Sequence, residues 1–278
     1  MTISLDKGGF ASGAASPRHA EYLRALRNRA AAVIGVQIVL LVAFFGLWQF
    51  VASWHFIDPF ITSDPIAMVD KFIALLRDGS LGYHVFVTVS ETIVGFAIGT
   101  IIGIVVAAML WWWDFFSDVA EPYVVVLNAT PKIALGPVFI VWLGATIKAV
   151  IALSVSISLF VTILSVFSAF RQTDRDKLLL VRALGATKWQ QFRKVVFPSA
   201  IPAIVATLKV NIGLSLIGTI VGEFLAASSG VGSLIVYGQN IFDMSLVMTC
   251  LVLLTAIAGV MYYAIVLFER YFVRWQRD

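Results

Sequence analysis

The sequence predicts an all-α membrane protein with six transmembrane helices, on three observations. Of its 278 residues 60% are hydrophobic and only 13% are charged, with a mean hydropathy of +0.94, whereas an ordinary soluble domain is roughly 25% charged. Apolar runs of about 20 residues, enough to cross a hydrocarbon core roughly 30 Å thick, recur along the chain. Lysine and arginine gather in alternate connections between these runs, the pattern that sets membrane orientation.

Taken in order, residues 1–30 are a polar, basic tail carrying Lys7, Arg18, Arg24, Arg27 and Arg29. The apolar run behind it is too long for a cleaved signal core and reads as an uncleaved first span, 31–54. Residues 55–83 connect it to the membrane core; within them Ile66, Val69, Ile73 and Leu76 recur at helical spacing, which predicts a short amphipathic helix at the surface. The core, 84–268, holds spans at His84–Trp112, Val119–Leu143, Ala145–Phe170, Ala200–Glu223 and Met244–Phe268. Residues 269–278 close the chain with Arg270, Arg274 and Arg277.

Six spans put both termini on one side. The 171–194 connection carries Arg171, Arg175, Lys177, Arg182, Lys188, Arg193 and Lys194, while the opposite side has only Lys71, Arg77 and Lys148. Both tails and the basic connection are therefore expected to be cytoplasmic. Trp111–Asp118 should share that side yet has no basic residue; its tryptophans fit an interfacial belt on either side. Topology accounts for the net charge of +4, so no nucleic-acid partner is implied, and the basic side faces lipid headgroups.

Several chemistries have no visible residues. The one cysteine, Cys250, lies in an apolar run, which excludes an internal disulfide or a cysteine metal cluster. His19, His55 and His84 fall in a tail or near span ends, away from any mid-membrane relay. No H-E-x-x-H, G-x-S-x-G or G-x-x-x-x-G-K-[ST] motif occurs, so no metalloprotease, serine hydrolase or phosphate loop is expected.

The polar and small residues inside spans form patterns. Gly95, Gly99, Gly103 and Ala107 recur every four residues, a small-residue seam for close helix packing. Thr207, Asn211, Ser215, Thr219 and Glu223 form a polar row winding around the fifth span, with two readings: bonding back to their own helix, or facing other helices or a solute path. Lys209 can snorkel to the headgroups. Lys132 and Glu91 fall at matching depths, about 10 Å from the same membrane face on an ideal rise. An ion pair between them is one expectation, contact of Lys132 with an anionic solute another, and snorkelling the plain alternative. Glu121 and Asn128 share a helical face with Lys132 and would extend the polar lining. Pro131 and Pro137 are positioned to unwind this span.

The basic connection 171–199 reads as two short helices bent at Gly185, with Thr187 capping the second and Pro198 and Pro202 ending it before the next span. Trp189 and Phe192 are expected as an exposed aromatic pair suited to a protein groove. This connection resembles that of the membrane permeases of bacterial ABC importers, in which a glycine is followed ten residues on by an Ile-x-Leu-Pro-like run. Here Gly185 is followed at that spacing by Val195, Val196, Phe197 and Pro198. With PKIALGPVFIVWLG at 131–144 and IGTIVGEFLAASSGVGSLI at 217–235, the chain looks most like the nitrate, sulfonate and taurine branch.

The resemblance implies a MetI-like type I ABC importer permease fold with cytoplasmic coupling helices. It implies a second copy of the chain as a homodimer partner, two cytoplasmic ABC ATPase subunits and an extracytoplasmic solute-binding protein, with ATP and Mg held by the ATPase and no cofactor on this chain. It also implies a bacterial inner-membrane location, a transport subunit rather than an enzyme, and a solute among nitrate, sulfonates, taurine, other small organic anions and vitamin precursors. The ATPase-coupling loop would comprise Arg182, Ala183, Leu184, Gly185, Ala186, Trp189, Phe192 and Pro198. The translocation path would comprise Glu91, Glu121, Asn128, Lys132, Asn211, Ser215, Thr219 and Glu223. The family's Glu-Ala-Ala is absent, with Leu179, Leu180 and Val181 near its positions. A secondary transporter driven through carboxylates such as Glu91 and Glu121 is the competing class.

Overall fold

The computed structural model describes residues 17–54, 63–226 and 228–272. It divides into two units, 1–59 and 60–278. In the first, α1 (Pro17–Ser53) is one helix, longer than the expected span because its basic leading turns are also good helix formers. Val36, Val39, Leu40 and Phe44 are among the apolar side chains exposed along it, as suits a helix solvated by lipid.

The second unit opens with the amphipathic helix α2 (Pro65–Arg77), started by Pro65 and by the Asp64 side chain, which accepts the Ala67 N–H at 2.9 Å. Long helices α3 (Ser80–Trp112), α6 (Ile147–Arg171), α9 (Phe197–Ala226) and α11 (Met244–Phe272) follow, with α4 (Asp114–Ala129), α5 (Gly136–Leu143), α7 (Arg175–Ala183), α8 (Lys188–Gln191) and α10 (Val231–Asn240) between them in chain order. Among the described residues five helices, α1 included, are long and apolar enough to span, and the bent pair α4 and α5 makes a sixth if it counts as one span.

That bent pair departs from the straight span expected at Val119–Leu143. The axis turns by 87° between α4 and the 3-10 turn Lys132–Leu135 that leads into α5. Pro131 has no N–H to continue α4 and pushes Thr130 into an extended conformation (ψ 135°). Pro198 and Pro202 do the opposite of what the sequence suggested. They do not end a helix: residues 188–226 run on as one rod, and a π-turn at Phe192–Val196 absorbs the missing donor, the Phe197 N–H reaching the Phe192 carbonyl five residues back.

Helices α3, α6 and α9 form the core of this unit. The seam Gly95, Gly99, Gly103 lies against Ser154, Ser158 and Thr162 of α6, and any Cβ there would collide with those side chains. From the other side Gly218 and Gly222 of α9 approach the backbone of Ser154 and Val150. Small residues on both faces let the backbones come close enough for dispersion to hold helices together where lipid supplies no hydrophobic drive. Apolar clusters flank this contact. One joins Ile212, Leu216, Val231, Ile235 and Cys250 across α9, α10 and α11; the other joins Leu110, Val166, Phe170, Val196 and Ala200 where α3 and α6 end.

α2 is tied to the start of α11. Lys71 Nζ lies 2.5 Å from Asp243 Oδ2, Thr249 Oγ1 donates to the Met68 carbonyl at 3.1 Å, and Ser63 Oγ donates to Ser245 Oγ at 2.9 Å. Burial alone would raise the Asp243 carboxyl, but the hydrogen bonds from Lys71 and the Leu246 N–H, with the charge of Lys71, hold it below its ordinary range. A carboxylate whose folded value is depressed stabilises above its unfolded value and loses that contribution as pH falls through the folded one. The stability difference between the native chain and Asp243→Asn should therefore be full near neutrality and shrink as pH drops below about 4, read as melting temperature against pH. A difference that grows on acidification would refute the assignment.

Candidate functional site

Two constellations stand at opposite ends of the long helices. The first is the elbow between α6 and α9. Asp174 caps α7 by accepting the Asp176 N–H at 2.9 Å. Its C-terminus closes through Ala186 N–H to the Val181 carbonyl (3.0 Å) with Gly185 at φ +82°, a left-handed turn that glycine adopts without a Cβ penalty. Thr187 then starts α8 with a reciprocal cap. Its Oγ1 accepts from Gln190 N–H at 3.3 Å and its own N–H donates to Gln190 Oε1 at 2.8 Å. Gln191, buried, donates from Nε2 to the Ala186 carbonyl at 3.0 Å. Both helix ends are thus satisfied locally, which makes the elbow a stiff unit.

The aromatic pair stays stacked, with 6.1 Å between ring centroids, but only one member is exposed. Phe192 turns inward against Trp111 (5.1 Å between ring centroids) and Phe170 (5.4 Å), because its π-turn rotates it toward the ends of α3 and α6. Trp189 stays 57% exposed. With Leu184 (79%), Leu180 (62%) and Leu179 (59%) it gives the elbow an apolar outer surface. Leu179 and Leu180, with Val181, stand near the positions of the absent Glu-Ala-Ala. The lone non-basic connection is also explained: Lys188 Nζ donates to the Trp112 carbonyl at 2.6 Å and sits over the Trp111 and Trp112 rings at 5.7 and 5.8 Å. The elbow lends Trp111–Asp118 the cation it lacks.

The second constellation gathers at the far ends of α3 and α9. Glu223, 1% exposed, accepts from Thr88 Oγ1 at 2.6 Å through Oε1 and from the Gly232 N–H at 2.5 Å through Oε2. Thr88 Oγ1 in turn accepts the Val231 N–H at 2.8 Å, and His84 Nδ1 lies 3.0 Å from both N and O of Gly230. The carboxylate therefore caps the N-terminus of α10, a helix with no capping side chain of its own. Gly230 (φ +107°) and Gly232 leave no room for a Cβ against Glu223. Glu91, 3% exposed, lies within electrostatic reach of Glu223. A cavity of about 570 Å³ opens beside this cluster, bordered by Glu223, His84, Tyr237 and Asn240.

The other expected path residues separate. Lys132 does not meet Glu91; its Nζ donates to the Asn128 carbonyl at 2.6 Å and sits 5.6 Å from the Phe160 ring. Equal depth fixed no azimuth, and the break at Pro131 turns Lys132 toward its own preceding turn. Glu121 pairs with Arg171 at 2.7 Å at the elbow end. Asn211, Ser215 and Thr219 are fully buried and face helices rather than an open channel. Asn211 Nδ2 donates to Thr162 Oγ1 at 2.5 Å, and Ser154 Oγ to the Ser215 carbonyl at 2.9 Å. Lys209 pairs with Glu269 at 2.6 Å. His55 and the side chain of His19 lie outside the described residues.

Thr88 and Thr92 offer a controlled comparison. Thr88→Val orphans the Val231 N–H and removes a donor from Glu223, at a cost of about 1–3 kcal/mol. Thr92→Val removes only a bond back to the Thr88 carbonyl (2.7 Å) and should cost under about 0.5 kcal/mol. Thermal denaturation in detergent separates them; equal losses would contradict the capping role.

A broken span, a small-residue helix core and a stiff two-helix elbow define a polytopic transport permease. The chain belongs to the binding-protein-dependent transport system inner membrane component family, whose model matches residues 99–278. It is 27% identical over 241 residues to the riboflavin transport system permease protein RibX of Chloroflexus aurantiacus, covering 87% of this chain and 89% of that one. With the formylaminopyrimidine transport permease protein ThiX of Halalkalibacterium halodurans it shares 29% over 175 residues, 63% of this chain and 70% of the other. The fold is that of a chain in an inward-facing MetNI methionine ABC transporter (TM-score 0.59, 24% identity, 67% of this chain and 93% of that chain).

Proposed function

We propose that this inner-membrane permease subunit pairs with a second copy of itself, and that its elbow docks an ABC ATPase on the cytoplasmic side. One observation carries the reading. Leu179, Leu180, Leu184 and Trp189 form an exposed apolar surface on a unit whose ends are fully capped. Such a unit moves as a body, so closure of a partner that grips it passes to α6 and α9, the helices it joins. ATP and Mg belong to the partner, which supplies the hydrolysis.

The solute path runs between the two copies along the broken span. Lys132 and Asn128 are half-exposed there, and a lysine facing lipid at this depth would cost several kcal/mol, roughly 3 or more. A water-lined path between copies relieves that cost and gives an incoming anion a cation to meet. The solute is a small organic molecule handed over by an external binding protein, of the vitamin, vitamin-precursor or sulfonate kind. The competing ion-coupled reading, built on Glu91 and Glu121, is disfavoured by the family match, and Glu121 is paired with Arg171.

Cys250 is buried, so an introduced cysteine at Leu184→Cys is the single reactive thiol. It should crosslink to the ATPase subunit and take a membrane-impermeant maleimide in inverted vesicles but not in intact cells. Labelling from outside would overturn the orientation, and failure to crosslink in an intact assembly would overturn the docking.

A further inference from the structure

A cavity of about 380 Å³ lies between the elbow and the first turns of α4. Its walls carry opposite charge. Asp114 and Asp118, four residues apart on one face of α4, stand on one side; Arg175 and Arg182, seven apart on one face of α7, stand on the other. None of the four forms an ion pair among the described residues, whereas Arg171 and Lys188, which also line the cavity, are both engaged, with Glu121 and with the Trp112 carbonyl. Thr173 also lines the cavity: it is 5% exposed and its Oγ1 is buried without a hydrogen-bond partner. At a cavity wall such a hydroxyl finds its partner in an ordered water or a ligand.

We propose that this cavity binds the headgroup of an aminophospholipid, a glycerophospholipid whose phosphodiester carries a primary amine. The phosphate accepts from Arg175, Arg182 and the Thr173 hydroxyl, and the ammonium donates to Asp114 and Asp118. A bipolar ligand satisfies both walls at once, which neither a simple anion nor a cation does. Position selects a lipid over a soluble phosphate. The cavity sits where α3 and α6 both end, with Trp111 and Phe170 on its lining, at the level where aromatic residues mark the headgroup boundary. Immediately beside Asp114, Phe115 is 83% exposed and Phe116 53% exposed, an apolar flank for the acyl chains. Such a lipid would brace the elbow against the membrane end of α4 whether or not a partner grips the elbow's outer face.

The test uses the full chain with its co-purifying partners in nanodiscs of phosphatidylcholine containing equal shares of phosphatidylethanolamine and phosphatidylglycerol, with retained lipid read by native mass spectrometry. The native chain should retain phosphatidylethanolamine over phosphatidylglycerol by about fivefold or more, the scale of one charge-assisted contact. Asp114→Asn with Asp118→Asn should invert the preference toward the anionic lipid. Arg175→Gln with Thr173→Val should lower retention of both. Size-exclusion of each variant with its partners checks that assembly is intact. Equal retention of the two lipids by the native chain, or an unchanged preference in the aspartate pair, overturns the proposal. Displacement by millimolar inorganic phosphate or O-phosphoethanolamine assigns the cavity to a soluble phosphate and overturns it equally.

Discussion

Gly218→Ala should lower stability by about 1–3 kcal/mol, the range for overpacking a tight interior, and Gly218→Val by more. A Cβ at Gly218 would stand 2.6 Å from the Ser154 Cα, and one at Gly222 2.8 Å from the Val150 Cα. These are backbone atoms, which cannot rotate aside as a side chain can, so α6 and α9 must separate. Separation would loosen the Asn211 to Thr162 and Ser154 to Ser215 hydrogen bonds along the same contact. Gly213, on the same helix, has nothing within 4 Å of a built Cβ. Gly213→Ala should be neutral or stabilising by up to about 1 kcal/mol through helix propensity alone. Melting temperature in detergent reads both, and two substitutions of one chemistry should move it in opposite directions. A Gly218→Ala chain as stable as Gly213→Ala would refute the account of this interface.

What was legible in the sequence follows from how far each signal reaches. Hydropathy counts local composition, so it located the apolar runs of α3, α6, α9 and α11, but it gave neither the early start of α1 nor the bend after Ala129. Capping is also local, so Thr187 and Gly185 located the elbow's turn. The prolines show where locality ends. Pro122 and Pro202 lie inside helices, Pro198 is absorbed by a π-turn, and among the described residues only Pro131 breaks the axis. Each removes one donor; the outcome depends on whether neighbouring helices hold the flanking turns in line. The cap of α10 was hidden for a related reason. One acceptor, Glu223, is supplied from the preceding span, and the second, the Thr88 hydroxyl that takes the Val231 N–H, from a helix 143 residues earlier. The paired glycines of GVG after Ser228–Ser229 were the available hint. They marked a close approach, without saying to what.

Counting residues along a helix gives a height and no azimuth. Lys132 and Glu91 were matched because rise per residue fixes height in the membrane, yet a pair also needs facing directions, which only packing supplies. The seam on α3 binds that helix to α6 through Gly95, Gly99 and Gly103. That contact turns Glu91 toward Glu223 and the cap of α10, while the break at Pro131 turns Lys132 away. The polar row of α9 meets the same limit. Its spacing was right for one face of a helix, and the face is the one carrying Gly218 and Gly222, which packing needs most.

Gly185→Val should abolish coupling while leaving the membrane core intact. At φ +82° a β-branched residue is strained whatever space surrounds it, at about 1–2 kcal/mol for the backbone alone. No atom lies within 4 Å of a built Cβ, so the strain is not transmitted to α6 or α9 by collision. It is relieved by opening the turn, which undoes the Ala186 to Val181 bond and shifts the start of α8. The apolar surface of Leu184 and Trp189 then no longer forms one body. Solute-stimulated ATP hydrolysis by the assembled complex should fall at least tenfold, a change of about 1.4 kcal/mol, with the melting temperature of the spans unchanged. Gly185→Asn, which tolerates the left-handed region, should keep most of the stimulation. Two results would contradict this. Full stimulation in Gly185→Val would show that the turn does not transmit the push. An equal loss in Gly185→Asn would show that the glycine is needed for close contact with a partner rather than for its backbone angle.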